Sequence, residues 1–125
     1  MKISCGTDII EISRVEKSII NAGERFLKEI YTPAEIAYCE SKGKAKYQHY
    51  AARFAAKEAI FKAISPILKD KYEITWQNAQ VLNDKNGRPY IEFINVQFDQ
   101  IESIDISLSH CKEYAVANVV ILYKE

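Results

Sequence analysis

An alanine-rich stretch, residues 53–64, constrains this chain more than any other. Alanine is the strongest helix former, and no residue in the stretch breaks a helix before Pro66. We therefore predict a helix over residues 47–65. At helical spacing, small residues form a narrow seam on one side and aromatic residues form a stripe nearly opposite, which is typical of a helix between packed layers. The seam is Ala52, Ala56, Ala59 and Ala63, and the stripe is Tyr47, Tyr50, Phe54 and Phe61.

Four charged residues interrupt these two apolar faces. Glu58 and Lys62, spaced i,i+4, lie between the seam and the stripe, whereas Arg53 and Lys57 lie across the helix. Charges in a half-buried helix need partners, because unpaired buried charge is costly. On the helix alone, the simplest interpretation of Glu58 and Lys62 is a structural ion pair, worth roughly 0.3 kcal/mol. A functional site is the alternative.

Length and composition indicate one globular domain over residues 1–125. Apolar residues make up 48% of the chain and charged residues 27%. The 17 basic and 17 acidic residues cancel, so no overall field attracts nucleic acid or a membrane. No apolar run reaches the roughly 18 residues of a membrane span, and no signal-peptide pattern precedes the domain. The 3 scattered cysteines favour reduced thiols in a cytoplasmic protein over a disulfide framework or a zinc site.

The N-terminal residues predict a strand followed by a helix. Alternating residues 3–9 are typical of a short strand, in which Gly6 permits close approach of backbone or ligand. Apolar residues at helical spacing over residues 12–22 then predict a helix that ends at a glycine. Asp8 falls near the junction, where its simplest role is an N-cap with Glu11 in the capping-box position.

Basic side chains gather in the first two helical segments. We call Arg14, Lys17, Arg25 and Lys28 the N-terminal basic patch. The patch is either solvated surface or a docking site for an acidic partner. A further helix is predicted to start at Thr32-Pro33-Ala34-Glu35, which has the residues of a capping box with proline at the first helical position.

The second half of the chain changes to period-two alternation. Residues 72–77 predict a strand that extends toward Leu82, and residues 84–87 carry an Asn-Gly hairpin signal. Residues 89–94 predict the return strand, and residues 104–110 and 114–123 predict two more. The sequence therefore predicts an α+β fold, with helices in the first half and an antiparallel sheet mostly in the second.

Several segments together resemble the holo-acyl-carrier-protein synthase family, the short phosphopantetheinyl transferases. Residues 53–64 resemble its Phe-Ala-x-Lys-Glu-Ala-x-x-Lys-Ala signature without a gap. Cys111 departs from the pattern, because the family more often has Thr, Asp or Ser there. The other matching segments are Gly6-Thr7-Asp8 with the following Arg14, the turn Asn86-Gly87-Arg88-Pro89, Ser107-Leu108-Ser109-His110, and Tyr114-Ala115.

The resemblance implies a fold, an activity and an assembly. The implied fold packs helices on an antiparallel sheet around one central buried helix. The implied activity transfers the 4'-phosphopantetheine moiety of coenzyme A to a serine of apo-acyl carrier protein in fatty acid biosynthesis, releasing adenosine 3',5'-bisphosphate. The family is also implied to form a homotrimer with active sites between subunits, for which the alanine seam and a sheet face would provide the interface. A monomer is the alternative that chain length allows.

The resemblance also implies roles for particular residues. Asp8 and Glu58 would ligate Mg²⁺, and Lys62 would neutralise phosphate charge or assist proton removal. Glu58 could instead act as a general base, and the sequence leaves this choice open. The N-terminal basic patch would dock the acidic carrier protein. Coenzyme A would be contacted by Arg53, Lys57, Gly87, Arg88, Pro89, Ser109 and His110.

Two other functions compete with this hypothesis. Many nucleases bind Mg²⁺ through an Asp…Glu-x-Lys set on a strand, but here the spacing is Glu-x-x-x-Lys within a predicted helix, and the net charge is +0. A coenzyme A-binding protein without catalysis is the second alternative. The intact set of Asp8, Glu58 and Lys62 argues against it.

Overall fold

The computed structural model describes residues 2–125 (for Lys71, the backbone only) and shows an α+β fold. Within the described residues, strand β1 is followed by four α-helices, short 3₁₀ turns and four further strands, and all strand pairings are antiparallel. One sheet has the order β1-β5-β4, and β2 and β3 form a separate hairpin. The elements are β1 Lys2–Glu11, α1 Ile12–Ala22, α2 Glu24–Ile30, α3 Pro33–Glu40, α4 Lys46–Ile64, β2 Ala79–Asn83, β3 Pro89–Phe93, β4 Ile101–His110 and β5 Tyr114–Tyr123.

Helix α4 is the centre of the fold, as the sequence predicts. Its residues join two apolar cores, one against the sheet and one against α1–α3. The alanine seam lies against β1 and β5, where a Cβ built on Gly6 would come within 2.0 Å of the Ala59 carbonyl oxygen. The predicted close approach at Gly6 is confirmed. Since the seam is buried inside one chain, the hypothesis that it forms a subunit interface is wrong.

Lys57 of α4 finds its partners inside the protein. Its ammonium lies 2.9 Å from a carboxylate oxygen of Glu35 and donates to the carbonyl oxygens of Trp76 and Ala79, each at 2.8 Å. The Glu35 carboxylate also accepts backbone N–H groups, from Thr32 at 2.8 Å and from Val81 at 2.7 Å. Burial lowers the pKa of Lys57, and the Glu35 charge opposes that effect. This hydrogen-bonded ion pair joins α4 to α3 and to β2.

The first strand is longer than predicted. β1 pairs with β5 as far as Glu11 opposite Tyr114, and Asp8 lies inside the strand opposite Ala117. The interpretation of Asp8 as a helix N-cap is therefore wrong, and α1 begins after Glu11 with no side-chain cap. The predicted stop is confirmed, because α1 ends at Gly23, whose φ is 58°.

The segment before β2 differs from the prediction. Residues 72–77 do not form a strand but two 3₁₀ turns, because the Asp70 carboxylate accepts the Tyr72 N–H at 2.9 Å and Thr75 forms a capping box with Asn78. These local hydrogen bonds compete with extended structure. The hairpin is confirmed, and Gly87 turns the chain with φ 83°. No helix within residues 2–125 is long and apolar enough to cross a membrane.

Candidate active site

Asp8 and Glu58 face each other where β1 crosses α4. The Gly6–Ala59 contact brings strand and helix together. Asp8 follows Gly6 by two positions on the same strand face, and Glu58 immediately precedes Ala59. Burial raises the pKa of Glu58, the Asp8 carboxylate raises it further, and Lys62 lowers it. The two carboxylates therefore lie close enough to repel one another.

Lys62 pairs with Asp8 across the helix–strand contact. Its ammonium lies 3.4 Å from Asp8 Oδ1 and donates to the Thr7 carbonyl oxygen at 2.9 Å. The Lys62 side chain is 56% exposed, and that of Asp8 is 19% exposed. The predicted helical ion pair with Glu58 is thus replaced, among the described residues, by an ion pair between α4 and β1. Its exposure leaves the ammonium accessible to an anionic ligand.

A cleft of about 380 Å³ opens beside the two carboxylates. Phe54 forms part of its wall, stacking on Trp76 at 5.0 Å and on Phe26 at 6.4 Å between ring centroids. Arg14 of the N-terminal basic patch also lines this cleft, whereas Lys17, Arg25 and Lys28 are exposed outside it. The lining is Asp8, Ile9, Ile10, Arg14, Val15, Ser18, Phe26, Phe54 and Glu58.

The donor set suits a hard divalent cation with open coordination positions. Within residues 2–125, no group of three or more His, Cys, Asp or Glu side chains could hold a metal. Two carboxylates in a polar cleft match the preference of Mg²⁺ for a few carboxylates together with water and phosphate oxygens. Burial raises the pKa of Glu58 and the Asp8 carboxylate raises it further, so a cation bound between the two carboxylates would stabilise their ionised forms.

A second group of polar residues surrounds Tyr38. We call Tyr38, Lys42, His49, Arg53 and His110 the Tyr38 cluster. The Arg53 guanidinium carbon lies 4.1 Å from the centroid of the Tyr38 ring, and the Lys42 ammonium nitrogen lies 4.6 Å from it. His49 meets the same ring edge-on at 5.6 Å and contacts the His110 ring at 6.0 Å.

Arg53 connects the Tyr38 cluster to the β2–β3 hairpin. The buried guanidinium donates to the Asn83 side-chain oxygen, and the Asn83 amide donates to the Gly87 carbonyl oxygen at 3.0 Å. Arg53 Nε is buried with no hydrogen-bond partner among the described residues. Arg88 points elsewhere, since it pairs with the Asp105 carboxylate at 3.1 Å. Arg53, Gly87 and His110 are therefore linked through one set of contacts.

Lys57, like Arg88, is a predicted site residue that the structure keeps away from both groups. Its side chain is fully buried, and internal acceptors use its ammonium. The structure therefore does not support a contact between Lys57 and a phosphate. Pro89 begins β3 next to the turn, and Ser109 is exposed at the end of β4.

The sequence alone did not predict several residues in the Tyr38 cluster or next to it. A signal for His49 existed, because it lies four residues before Arg53 and so on the same side of α4. Tyr38, Lys42 and Asn83 carried no such signal. Tertiary packing of α3 and β2 against α4 brings them to the site.

The two groups lie on opposite sides of one chain. His49 and Glu58 are nine positions apart on α4, which at about 100° per residue is two and a half turns. Asp8 lies on one edge strand of the three-stranded sheet and His110 on the other, with β5 between them. Helix α4 and strand β5 therefore lie between the carboxylates and the Tyr38 cluster.

Comparison with known proteins gives one consistent result. A family model described as the 4'-phosphopantetheinyl transferase superfamily matches residues 4–119. The chain is 41% identical to a holo-[acyl-carrier-protein] synthase of Ruminiclostridium cellulolyticum, over 97% of this chain and 92% of that protein. It is 40% identical to that of Koribacter versatilis, over 97% and 98% of the two chains.

Solved structures agree with the sequence matches. A holo-(acyl-carrier-protein) synthase from Bacillus anthracis, in complex with coenzyme A (3',5'-ADP), superposes with a TM-score of 0.79 at 33% identity, covering 98% of this chain and 96% of that one. The Helicobacter pylori holo-[acyl-carrier-protein] synthase in complex with coenzyme A superposes with a TM-score of 0.82 at 30% identity, covering 94% and 99%.

Proposed function

This chain belongs to the holo-[acyl-carrier-protein] synthase family of the 4'-phosphopantetheinyl transferase superfamily, and we propose that it transfers the 4'-phosphopantetheine moiety of coenzyme A to a serine of apo-acyl carrier protein. Adenosine 3',5'-bisphosphate is the second product, and the reaction serves fatty acid biosynthesis. The observation that carries the proposal is the pair of carboxylates, Asp8 and Glu58, in a cleft beside the exposed ammonium of Lys62. The unpaired cysteines fit a reducing compartment such as the cytoplasm.

The chemistry requires one bond to form and one to break at the β-phosphorus of coenzyme A. The serine oxygen bonds to that phosphorus, the bond from it to the bridging oxygen breaks, and the serine proton passes to a base. Glu58 is one candidate for the base, because it lies in the cleft beside Asp8 and Lys62. Lys62 is placed to neutralise phosphate charge, which is the main demand of phosphoryl transfer.

We propose Asp8 and Glu58 as the ligands of a Mg²⁺ ion. When bound, such an ion neutralises the charge on the phosphate oxygens. The support is the fit of the site, since two repelling carboxylates in a cleft gain a counter-charge and leave positions for phosphate and water.

The Tyr38 cluster and the hairpin turn are proposed to bind the adenosine end of coenzyme A. Lys42, Arg53 and two histidines gather there, and Arg53 anchors the turn that carries Gly87. Phosphate groups favour such sites, because guanidinium and ammonium donors form charge-assisted hydrogen bonds with them.

We propose that the protein forms a homotrimer whose active sites are shared between subunits. In a single chain, the carboxylates and the Tyr38 cluster lie on opposite sides of α4, and a second subunit that places its Tyr38 cluster beside the carboxylates would let one coenzyme A molecule contact both. The outer face of the three-stranded sheet supports assembly, because it exposes Ile3 at 65%, Ile9 at 61% and Val120 at 46%. Exposed apolar patches of this kind mark interfaces.

A complementation experiment tests the shared site. Glu58→Gln and His110→Ala are each expected to be inactive alone. When the two variants are unfolded, mixed and refolded together, mixed oligomers contain some sites with both residues intact, so activity should return. If the mixture stays inactive while light scattering shows oligomers, each site lies within one subunit.

The function itself is tested by intact-mass measurement. The protein is incubated with coenzyme A, Mg²⁺ and an apo-acyl carrier protein, and the carrier is expected to gain the mass of one phosphopantetheine. A matched Glu58→Gln sample is expected to leave the carrier unmodified. Binding of coenzyme A without a mass gain would favour the non-catalytic alternative, and cleavage of nucleic acid without a mass gain would favour the nuclease alternative.

A further inference from the structure

His49 lies at the centre of the Tyr38 cluster, although its sequence context assigns it no role. It is half-buried on α4, one turn before Arg53. Its ring contacts Tyr38 from α3 at 5.6 Å and His110 from the end of β4 at 6.0 Å. The Tyr38 ring in turn holds the charged ends of Arg53 and Lys42 within 4.1 Å and 4.6 Å of its centroid. A titratable imidazole is thus surrounded by basic groups.

No carboxylate among the described groups that shift the His49 pKa offsets the positive charges around this imidazole. Burial lowers the pKa of His49, and so do Arg53 on its own helix, Lys42 after α3 and His110 of β4; none of the groups that shift it in the described chain is a carboxylate. The nearby Glu40 is already engaged, since it pairs with Lys46 at 3.4 Å and accepts the Tyr50 hydroxyl at 2.6 Å. His49 is therefore neutral at neutral pH in the free protein.

We propose that His49 is a proton-linked binding residue for the 3'-phosphate of coenzyme A, gaining a proton when that phosphate enters the Tyr38 cluster. The inference rests on the proposed function, because it takes coenzyme A as the ligand. A phosphate monoester brings up to two negative charges at neutral pH, which exceeds the single charge on each phosphate of a diester linkage. An anion within about 4–6 Å favours the protonated imidazole, and protonated His49 can then donate a charge-assisted hydrogen bond.

The linkage has a definite sign. The pKa of His49 is lowered in the free protein and rises when the anion binds, so binding takes up protons at pH values between the two. Affinity for coenzyme A is then lost as the pH rises through the bound-state pKa. The second pKa of a phosphate monoester is about 6. Above about pH 7 the ligand is already a dianion, so a proton gained there belongs to the protein.

Titration calorimetry in buffers of different ionisation enthalpy counts the protons taken up on binding. Wild-type protein and His49→Gln are titrated between pH 7 and 8 with coenzyme A and with dephospho-coenzyme A, which lacks the 3'-phosphate. Glutamine retains a hydrogen-bond donor but does not titrate in this range. We expect wild-type protein to take up protons with coenzyme A and not with dephospho-coenzyme A. We expect His49→Gln to lose that uptake and to bind coenzyme A more weakly, with a difference from wild-type protein that shrinks as the pH rises from 7 to 8.

Two results would overturn the inference. If His49→Gln takes up as many protons as wild-type protein while His110→Gln does not, the proton resides on His110. If His49→Gln weakens both ligands equally, His49 acts only by packing against Tyr38. Failure of the proposed function looks different, because wild-type protein would then leave the carrier unmodified or bind neither ligand.

Discussion

Gly6 of β1 and Ala59 of α4 touch backbone to backbone, with no room for even a methyl group between them. A Cβ on Gly6 would lie 2.0 Å from the Ala59 carbonyl oxygen and 2.9 Å from the Ala63 nitrogen. Both obstacles are backbone atoms of a helix held between two cores, so neither can turn aside as a side chain would. The contact fixes the separation of β1 and α4, and with it the positions of Asp8 and Glu58.

Gly6→Ala is expected to impair both stability and transfer. The strand and the helix must separate to admit the methyl group, which costs about 1–3 kcal/mol or more and moves Asp8 away from Glu58. Chemical denaturation and the initial rate of carrier modification measure the two effects. Gly43→Ala is the control for transfer: its φ of 57° makes alanine strained and costs some stability, but no atom lies within 4 Å of an added Cβ, so the rate should stay unchanged. A Gly6→Ala protein with wild-type stability and rate would show that this contact does not position the site.

The sequence predicted the elements whose signals are local. The α4 alanines, the glycine that ends α1, the Thr32 capping box and the Asn86-Gly87 turn were all read from adjacent residues, and the structure confirms them. The strand prediction for residues 72–77 is wrong, because alternation alone does not reveal side-chain hydrogen bonds to the backbone, such as that of Asp70. The N-cap prediction for Asp8 is wrong, because pairing with β5, which the sequence does not reveal, extends β1 past this residue.

The candidate site could be predicted only in part. The resemblance identified Asp8, Glu58 and Lys62, and the structure brings these three together. It also assigned Lys57 to a ligand, although Glu35 lies 22 positions earlier in the sequence and meets Lys57 only through the packing of α3 on α4. Tyr38 and Asn83 join Arg53 in the same way. Contacts of this range depend on tertiary packing and leave no periodic trace in the sequence.

Glu58→Gln is expected to abolish transfer and to stabilise the metal-free protein above the pH at which Glu58 ionises. The folded-state pKa of Glu58 is raised by burial and by Asp8, so the native state holds this proton more tightly than the unfolded state does. Wild-type stability is therefore lost as the pH rises through that pKa, and the variant avoids the loss. Denaturation at pH values from 4 to 8 without metal measures the difference, which should shrink toward the acidic end.

Asp8→Asn supplies the companion test for the metal. It too should stop transfer, because it removes a proposed Mg²⁺ ligand. Burial raises the Glu58 pKa most, and Asp8→Asn should remove the further increase that repulsion by Asp8 adds. Added Mg²⁺ is expected to raise the unfolding midpoint of wild-type protein but of neither variant. Full activity of Asp8→Asn would exclude Asp8 as a ligand.

Lys57→Met is expected to reduce stability without altering coenzyme A binding. The substitution leaves the buried Glu35 carboxylate without its counter-charge, which costs about 3–5 kcal/mol. Lys62→Met is a matched control on the same helix, and it should retain stability while losing turnover, because Lys62 is exposed beside Asp8. Urea denaturation and the KM for coenzyme A distinguish the two roles. A raised KM at unchanged stability would instead make Lys57 a ligand contact.

The N-terminal basic patch contains residues with different surroundings. Lys28 already pairs with Glu24 at 3.5 Å, and both side chains are largely exposed. Arg14 differs from the rest of the patch, because it lines the cleft that contains Asp8 and Glu58. We therefore expect Arg14 to dominate the interaction between this patch and an acidic carrier protein near the reacting serine.

Arg14→Glu is expected to raise the KM for the carrier protein at least about tenfold and to leave the KM for coenzyme A nearly unchanged. Like charges facing each other across an interface cost up to several kcal/mol, so a charge reversal exceeds the effect of a simple loss. High salt should weaken the wild-type reaction in the same manner, because ions screen such steering over about 10 Å at 0.1 M. Steady-state kinetics with each substrate varied, at low and high ionic strength, separates the two constants.

Lys124→Glu, a charge reversal at an exposed residue near the end of the sequence, controls for the change in net charge. If Arg14→Glu raises the KM for coenzyme A instead, Arg14 contacts the donor, and if neither constant changes, the carrier protein docks on another surface.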